Sequence, residues 1–475
     1  MPAHCGGLLG IPGESELCGI DCAVSSREAA LDYSPRRKPW DAVENEGSPE
    51  GRKKSSLRLT SIAAPDKDCM HLTARTLFET VAALGTLCSL GFYLLSACGI
   101  VSFLNSRRRN RPATAQSAHT FPPVSILKPL KGIDPQIFEA FCSHCDQNYP
   151  EYQLIFGVSD PGDPAVALVR KLQNKYPNRE IDLLVCPRDL GTNRKLSTLA
   201  QMLPTARHEI LLINDSDIRV APDYLRRVIA PLADPAVGMV TSLYRGIASS
   251  TLGSRLEAFG ISTDFVPGVL SARLIERGIH FGLGSTLAFR RADLQAIGGF
   301  EAMLDYLADD YEIGHRISAL GKRVELSDVV VDTFLPEYSL RQFVDHQLRW
   351  ARSVRGSRGW GYSGLLLTYG LPWSLLTMLA ARGAPWAWSL LAVTLAARIA
   401  VGLAAAVLVL GDKQALHDLW LLPVRDLTAL IIWTIGLIGN RIYWRGDWFY
   451  LNHGRLERIV DDADRPPKVP RLSRP

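Results

Sequence analysis

Long apolar blocks alternate with a middle stretch of mixed polarity along this chain. The first block, Leu77 to Leu104, is interrupted only by Glu79. About 20 apolar residues suffice to cross a bilayer, so the pattern predicts a transmembrane helix over residues 75–104. Arg107, Arg108, Arg109 and Arg111 follow directly and place that end on the cytoplasmic side. Beyond a polar linker, short apolar runs and helical periods take turns. Val124–Leu127, Gln153–Val158, Asp182–Cys186 and the run from Leu211 read as strands; Gln136–Cys145, Ala165–Lys175 and Leu196–Leu203 read as helices. Strands separated by short helices predict a mostly parallel, right-handed α/β sheet over residues 121–345.

Past Trp360 the apolar blocks return as Leu365–Leu379, Trp386–Leu410 and Leu419–Gly439. Tryptophans near their ends suit an interfacial belt, and residues 361–440 are expected to form a C-terminal membrane region. Arg398 and the pair Arg425–Asp426 fall inside these blocks, where a charge must face protein, reach the interface or mark a re-entrant segment. Residues 441–475 read as a basic tail that favours the cytoplasm. Three crossings after a cytoplasmic domain would put that tail outside, so one block is expected to be interfacial or re-entrant. At the other end, residues 1–70 are Gly-, Ser- and Pro-rich without a sustained period, which predicts a disordered tail. No basic region opens a cleavable signal peptide. Met70, just before the first apolar block, is an alternative start.

Composition refines this picture in two places. The net charge of +5 and the absence of a basic stripe interleaved with aromatics argue against nucleic acid as a partner; the arginines gather beside the apolar blocks instead. Nine scattered cysteines suit a reducing compartment. Cys142 and Cys145 form a C-x-x-C without a second ligand pair nearby and read as buried helix residues.

Candidate chemistry centres on LLINDSDIRV, Leu211 to Val220. Ligands of open α/β sheets bind beyond the carboxyl ends of strands, where Asp215 and Asp217 emerge. Two aspartates at i, i+2 suit a hard cation, Mg²⁺ or Mn²⁺, held together with substrate phosphates; an Asx-rich turn is the alternative. Asp160 ends the preceding strand on the same rim and offers an acceptor for a base or ribose. Lys195 lies at a helix start, where a lysine meets phosphate oxygens; a solvated lysine is equally common. Asp309 and Asp310 sit at another helix start, as first-turn acids or as a general base. His346, Gln347, Arg349 and Trp350 lie in an amphipathic stretch, residues 346–360, of the interfacial kind.

Taken together, PVSILKPLKG, GVSDPGDPA, NDSD, GLGSTLAFRR and YLADDYEIG resemble the ceramide glucosyltransferase-like GT-A glycosyltransferases from about residue 121 to the C-terminus. The D…D…D…(Q/R)xxRW signature of such families falls on Asp160, Asp215, Asp310 and Arg349–Trp350. His346 occupies the position of the signature's Gln or Arg, with Gln347 one residue late. Within that family the chain is most similar to the bacterial branch associated with hopanoid biosynthesis. The resemblance implies a GT-A, Rossmann-like catalytic domain flanked by transmembrane helices at both ends. It implies an integral protein of the bacterial inner membrane whose catalytic domain faces the cytoplasm. It further implies a UDP-sugar donor, UDP-N-acetylglucosamine or UDP-glucose, bound by Asp160, Lys195 and Asp215, and a divalent cation on Asp215 and Asp217. Asp310 would be the base, with Asp309 its rival, and His346, Gln347, Arg349 and Trp350 would contact substrate or phosphate. The implied acceptor is a lipid hydroxyl, a hopanoid such as bacteriohopanetetrol or a sphingolipid. A processive polysaccharide synthase and a non-catalytic sugar-nucleotide-binding membrane protein are the competing readings.

Overall fold

A computed structural model describes residues 67–116, 121–444 and 447–459; most of the N-terminal tail and the last residues of the basic tail lie outside the described residues. The strands read from the sequence appear as β1 (Val124–Leu130), β2 (Tyr152–Val158), β3 (Ile181–Val185) and β4 (Ile210–Ile213). They are joined by β5 (Ile218–Arg219), β6 (Val237–Ile247), β7 (Leu287–Arg290) and β8 (Arg323–Phe334). One sheet holds all of these in the order β3-β2-β1-β4-β7-β6-β8-β5. The pairs β1–β2, β2–β3, β1–β4 and β6–β8 are parallel, while β7 runs antiparallel to β4 and β6, and β5 to β8. The sheet is thus α/β, mixed and mostly parallel, as a GT-A-like domain requires.

Both faces are buried, which explains the mostly apolar runs in β1 and β2 and the wholly apolar one in β4. Period-2 alternation sends Ile126, Leu154 and Leu212 to one face, against Phe141, Val169 and Tyr224. Leu127, Ile155, Leu211 and Ile213 go to the other, against Leu196, Leu199 and Met202. Ile100 and Phe103, from the N-terminal apolar helix Lys67–Gln116, join that second face. The helix therefore packs into the core of the sheet domain rather than standing apart. Gly99 allows this: a Cβ there would lie 2.7 Å from the Leu270 carbonyl oxygen. Beside it Ser96 Oγ meets Ser271 Oγ at 2.9 Å.

Among the described residues, three helices are long and apolar enough to cross a membrane: Ala74–Arg109, Pro385–Leu410 and Leu419–Leu437. The block Leu365–Leu379 falls in the pair Gly359–Thr368 and Gly370–Ala380, bent by 54° at its break, so this block is the broken one. The charges inside the blocks face protein. Arg398 bonds Asp426 at 2.8 Å and also reaches Asp264, which a π-helical turn, Ile261–Phe265, brings into range. Arg425 donates to Asp264 at 2.7 Å and to Gln347 Oε1 at 3.0 Å.

The interfacial stretch lies within a longer helix, Leu340–Ser357, opened by a capping box between Ser339 and Gln342. Within residues 441–475, expected as a basic tail, β9 (Arg441–Trp444), β10 (Asp447–Asn452) and β11 (Arg455–Arg458) form an antiparallel sheet. Alternation again gives the reason: Ile442, Phe449, Leu451 and Leu456 are buried with Leu307, while the charged residues point outward. Hydrogen bonds from Leu307 N to Gly454 O (3.0 Å) and from Leu456 N to Asp305 O (2.6 Å) fasten this sheet just before Asp309.

Candidate active site

The carboxyl end of β4 supplies the centre. Asn214 is fully buried and its amide donates to Ser285 O (2.6 Å) and Tyr224 Oη (2.9 Å), which fixes where the chain turns. Asp215 then emerges with its side chain 44% exposed, facing the cleft. From the adjacent strand β1, buried Lys128 donates to the Asp215 carbonyl at 2.9 Å. Burial pulls that ammonium down to about 7, with Asp217 and Asp215 opposing.

Two further elements deliver groups to the same place. Asn193 caps the helix Arg194–Met202 by accepting from Leu196 N, which sets Lys195 at the rim. Lys195 Nζ reaches Asp215 Oδ1 at 2.8 Å and Asp309 Oδ2 at 2.9 Å. Although burial opposes it, these carboxylates raise the lysine above its ordinary range, so it stays charged. Asp309 opens the helix Asp309–Ala319, and Asp310 follows. Asp310 Oδ2 accepts from Gly284 N at 2.8 Å and Oδ1 from Tyr311 N at 2.8 Å. Burial, reinforced by Asp309 and opposed by Lys195, pushes this carboxyl up to about 6.

Gly284 is where the acids converge. A Cβ at that position would lie 3.0 Å from Asp215 Oδ2 and 3.3 Å from Asp310 Oδ2. The helix bearing Asp310 rides equally close to this loop: a Cβ on Gly314 would lie 2.3 Å from Gly282 N. Asp217 is adjacent but turned toward β8, where the Thr333 hydroxyl donates to it. Burial, with Asp215 adding, raises Asp217 to about 6.

The remaining sequence candidates lie farther out. Asp160 is exposed at the end of β2 and closes a turn by accepting from Gly162 N at 2.8 Å. It shares the rim with Asp215, with β1 between their strands. His346 Nδ1 lies 2.8 Å from Oε1 of buried Glu257. Its ring stacks on Tyr338 and packs against Trp350, which touches Phe265. Phe265 meets Tyr244, whose phenol is raised by burial and by the charges of Asp310, Glu257, Asp215 and Asp217. An aromatic wall thus runs from the helix Leu340–Ser357 to the acids. Arg349 acts electrostatically on Tyr338 within it. Gln347 points the other way, to Arg425 of the membrane helices.

The donor set suits a hard divalent cation of the kind that keeps water and substrate oxygens. Among the described residues no group of three or more His, Cys, Asp and Glu forms a ready cage. Magnesium is commonly held by one or two carboxylates plus phosphates; of the two aspartates after β4, Asp215 faces the cleft and Asp217 is bonded by Thr333.

Sequence reasoning passed over Lys128, Gly284 and Glu257. A lysine inside an apolar strand was the available signal for the first. The C-x-x-C cysteines are free, Cys145 buried and Cys142 partly so. Between them His144 lies 3.2 Å from Asn214 Oδ1, part of the buried layer beneath the acids.

The family model described as "Glycosyl transferase family 21" matches residues 89–457. The chain is similar to ceramide glucosyltransferase 1 of Caenorhabditis elegans, 25% identical over 209 residues, 44% of each protein. It is also similar to ceramide glucosyltransferase 3 of that organism, 24% identical over 234 residues, 49% of this chain and 50% of the relative. It therefore spans about half the length of these relatives. Among solved structures it is similar to a mannosyltransferase from Pyrobaculum calidifontis in complex with GDP-Man and Mn²⁺. That match has 22% identity and a TM-score of 0.46, covering 75% of this chain and 98% of the other.

Proposed function

This chain belongs to glycosyl transferase family 21, and we propose that it moves a hexose from a UDP-sugar to a hydroxyl of a membrane lipid with inversion. The observation that carries this reading is the approach of Asp215 and Asp310, from different elements, to the single point at Gly284. One acid faces a leaving diphosphate and the other an incoming hydroxyl.

Asp215 and Asp217 would hold a divalent cation, which would supply neutralisation of the charge that grows on the diphosphate. Lys195, kept charged by Asp215 and Asp309, adds a charge-assisted contact to the same oxygens. Asp160 on the neighbouring rim accepts from the base or ribose. As the acceptor oxygen bonds to the anomeric carbon and the bond to the diphosphate breaks, the acceptor proton passes to the Asp310 carboxylate. The backbone N–H groups of Gly284 and Tyr311 hold that carboxylate in one orientation. Its raised pKa brings it toward the operating pH, where a general base works best. Asp309, buried against Lys195, is engaged elsewhere, which favours Asp310 as the base. A single base with no covalent nucleophile gives inversion.

The aromatic wall of Tyr244, Phe265, Trp350 and His346, at the membrane-side helix, suits a bulky lipid acceptor. In this reading the sheet domain over 121–345 faces the cytoplasm of a bacterial inner membrane and meets its acceptor at the bilayer surface. The finer acceptor, a hopanoid such as bacteriohopanetetrol receiving N-acetylglucosamine or glucose, rests on the motif resemblance. The names of the relatives support ceramide and glucose instead. Incubating membranes that contain the protein with labelled UDP-sugars and added hopanoid or ceramide, then extracting lipids, decides the matter. A labelled hopanoid or glycosylceramide is expected. A labelled polymer would point to a polysaccharide synthase, and no label to a binding protein, overturning the reading.

A further inference from the structure

Two loops far apart in sequence run side by side into the helices that carry the reacting groups. Residues 191–193 lead into the helix Arg194–Met202 with Lys195, and residues 304–308 into the helix Asp309–Ala319 with Asp310. Their backbones approach closely: a Cβ on Gly191 would lie 2.5 Å from Leu304 Cβ. Hydrogen bonds then stitch the loops together. Asn193 N donates to Leu304 O at 2.7 Å, and Asn193 Nδ2 to Tyr306 O at 2.8 Å. Thr192 N and Thr192 Oγ1 both donate to Asp305 Oδ1, each at 3.0 Å. From the other side the C-terminal sheet grips residues 305–307, with the Arg455 guanidinium 5.1 Å from the centre of the Tyr306 ring.

Asn193 is fully buried, and both ends of its side chain are engaged. Oδ1 accepts from Leu196 N at 3.2 Å and caps the helix of Lys195, while Nδ2 holds the loop of Asp309 and Asp310. A carboxamide supplies an acceptor and a donor at once; an ionised aspartate caps but cannot donate. The ion pair of Lys195 with Asp309 at 2.9 Å also spans the two elements. In the proposed transfer, however, Lys195 turns to diphosphate oxygens, so that pair competes with substrate. The bond from Asn193 uses no reacting group and persists through turnover. Rates depend steeply on such spacing, because reacting groups must already lie close to their attack geometry.

We propose that Asn193 is a positioning residue for transfer, one side chain that fixes the helix of Lys195 against the loop leading to Asp310. The phosphate-binding lysine and the base thereby keep a constant separation. This role rests on the proposed reaction, and Asn193 itself touches no substrate.

The test uses the full-length protein purified in detergent and compares Asn193→Ser with Asn193→Ala. Serine keeps a cap acceptor but is too short to reach Tyr306 O as well; alanine loses both. Hydrogen exchange read by mass spectrometry should rise about tenfold over residues 304–310 in both variants, the effect of one lost hydrogen bond. Exchange in the helix Arg194–Met202 should rise only in Asn193→Ala. In the labelled-sugar assay kcat should fall about tenfold in both, with equilibrium affinity for UDP unchanged. Asp305→Ala, at an exposed position away from the cap, gives a second reading if the Asn193 variants do not fold: it frees Thr192 and should show the same pattern more weakly. Wild-type exchange over 304–310 in Asn193→Ser would overturn the proposal. So would raised exchange with unchanged kcat, or a loss of UDP affinity as large as the loss of rate. Absence of transfer by the wild-type protein would instead sink the proposed reaction, and the exchange data would still decide whether Asn193 ties the two loops.

Discussion

Two clusters of buried charge lie on either side of the helix Leu340–Ser357, and they are composed differently. Toward the membrane, Arg398 and Arg425 meet Asp264 and Asp426, two cations on two anions, with Gln347 and the Thr263 carbonyl taking further donors. At the sheet rim, among the described residues, Asp215, Asp217, Asp309 and Asp310 lie with the cations Lys195 and Lys128, four acids to two bases. The first set is balanced within the protein and acts as a seam. The second holds more acids than bases, and burial, with the neighbouring acids adding, pushes Asp217 and Asp310 up to about 6. In the proposed reaction such a cluster would hold its carboxylates for a cation and for the acceptor's proton. Burial acts on both clusters; what differs between them is the balance of charge.

If that distinction is right, the rim tolerates the loss of an acid in fold but not in function. Asp215→Ala should abolish transfer while leaving thermal stability close to wild type. Excess chelator should have the same effect on the intact protein, reversed by Mg²⁺ or Mn²⁺. Full turnover in chelator would remove the cation from this account. Asp310→Asn preserves size but cannot take a proton as a carboxylate does. It should lower kcat by about 10²–10⁴-fold, with donor affinity little changed. Equilibrium binding of UDP beside single-turnover rates checks both halves of that statement.

The seam should behave in the opposite way. Arg398→Ala strands Asp426, a nearly fully buried carboxylate, and is expected to cost about 3–5 kcal/mol of stability. The double replacement Arg398→Met with Asp426→Leu removes both charges and should recover most of that loss, provided Asp264 keeps Arg425. Thermal unfolding in detergent reads both variants. Equal destabilisation by the single and double changes would show that the network contributes through something other than paired charge.

Much of this division was legible in the chain. Periodicity located β1 to β4 and their helices because both faces of the sheet are buried, and the long apolar blocks announced the membrane helices. NDSD and LADD marked the rim. What the pattern could not show was pairing across distance. Nothing near Arg398 in sequence identifies Asp264, which comes from a π-helical turn over a hundred residues earlier. Gly284 carries no side chain to read, and its importance appears only when Asp215 and Asp310 approach it together. The basic tail misled because its charges are outward residues of short strands whose alternate positions, Ile442, Phe449 and Leu456, fill a small core.

A smaller effect follows from the proton on Asp310. Its carboxyl is raised to about 6, and the proposed transfer needs the carboxylate. Activity should therefore hold above that pH and fall about tenfold per unit below it, as a single protonation requires. A bound cation adds positive charge nearby and can only move this limb downward. A pH profile of kcat/KM at saturating Mg²⁺, flat from neutrality to well above pH 8 and falling on the acid side, is expected. A limb centred above pH 7 would mean that a different group carries the proton.

The mildest change expected at the rim is also the one that separates the two neighbouring acids. Asp309→Asn leaves the helix start and the Gly284–Asp310 contact in place but removes one of the two carboxylates that hold Lys195. Turnover at neutral pH should fall by less than about tenfold, since no proton in transit is lost. The charge of Asp309 also helps to raise Asp310, so its removal should lower the Asp310 pKa and shift the acid limb of the profile to lower pH. The two readouts move independently: a base lost would collapse kcat at every pH, whereas a neighbour lost shifts the limb and leaves the plateau near its height. A collapse in Asp309→Asn with a surviving Asp310→Asn would make Asp309 the base and Asp310 the acid that tunes it.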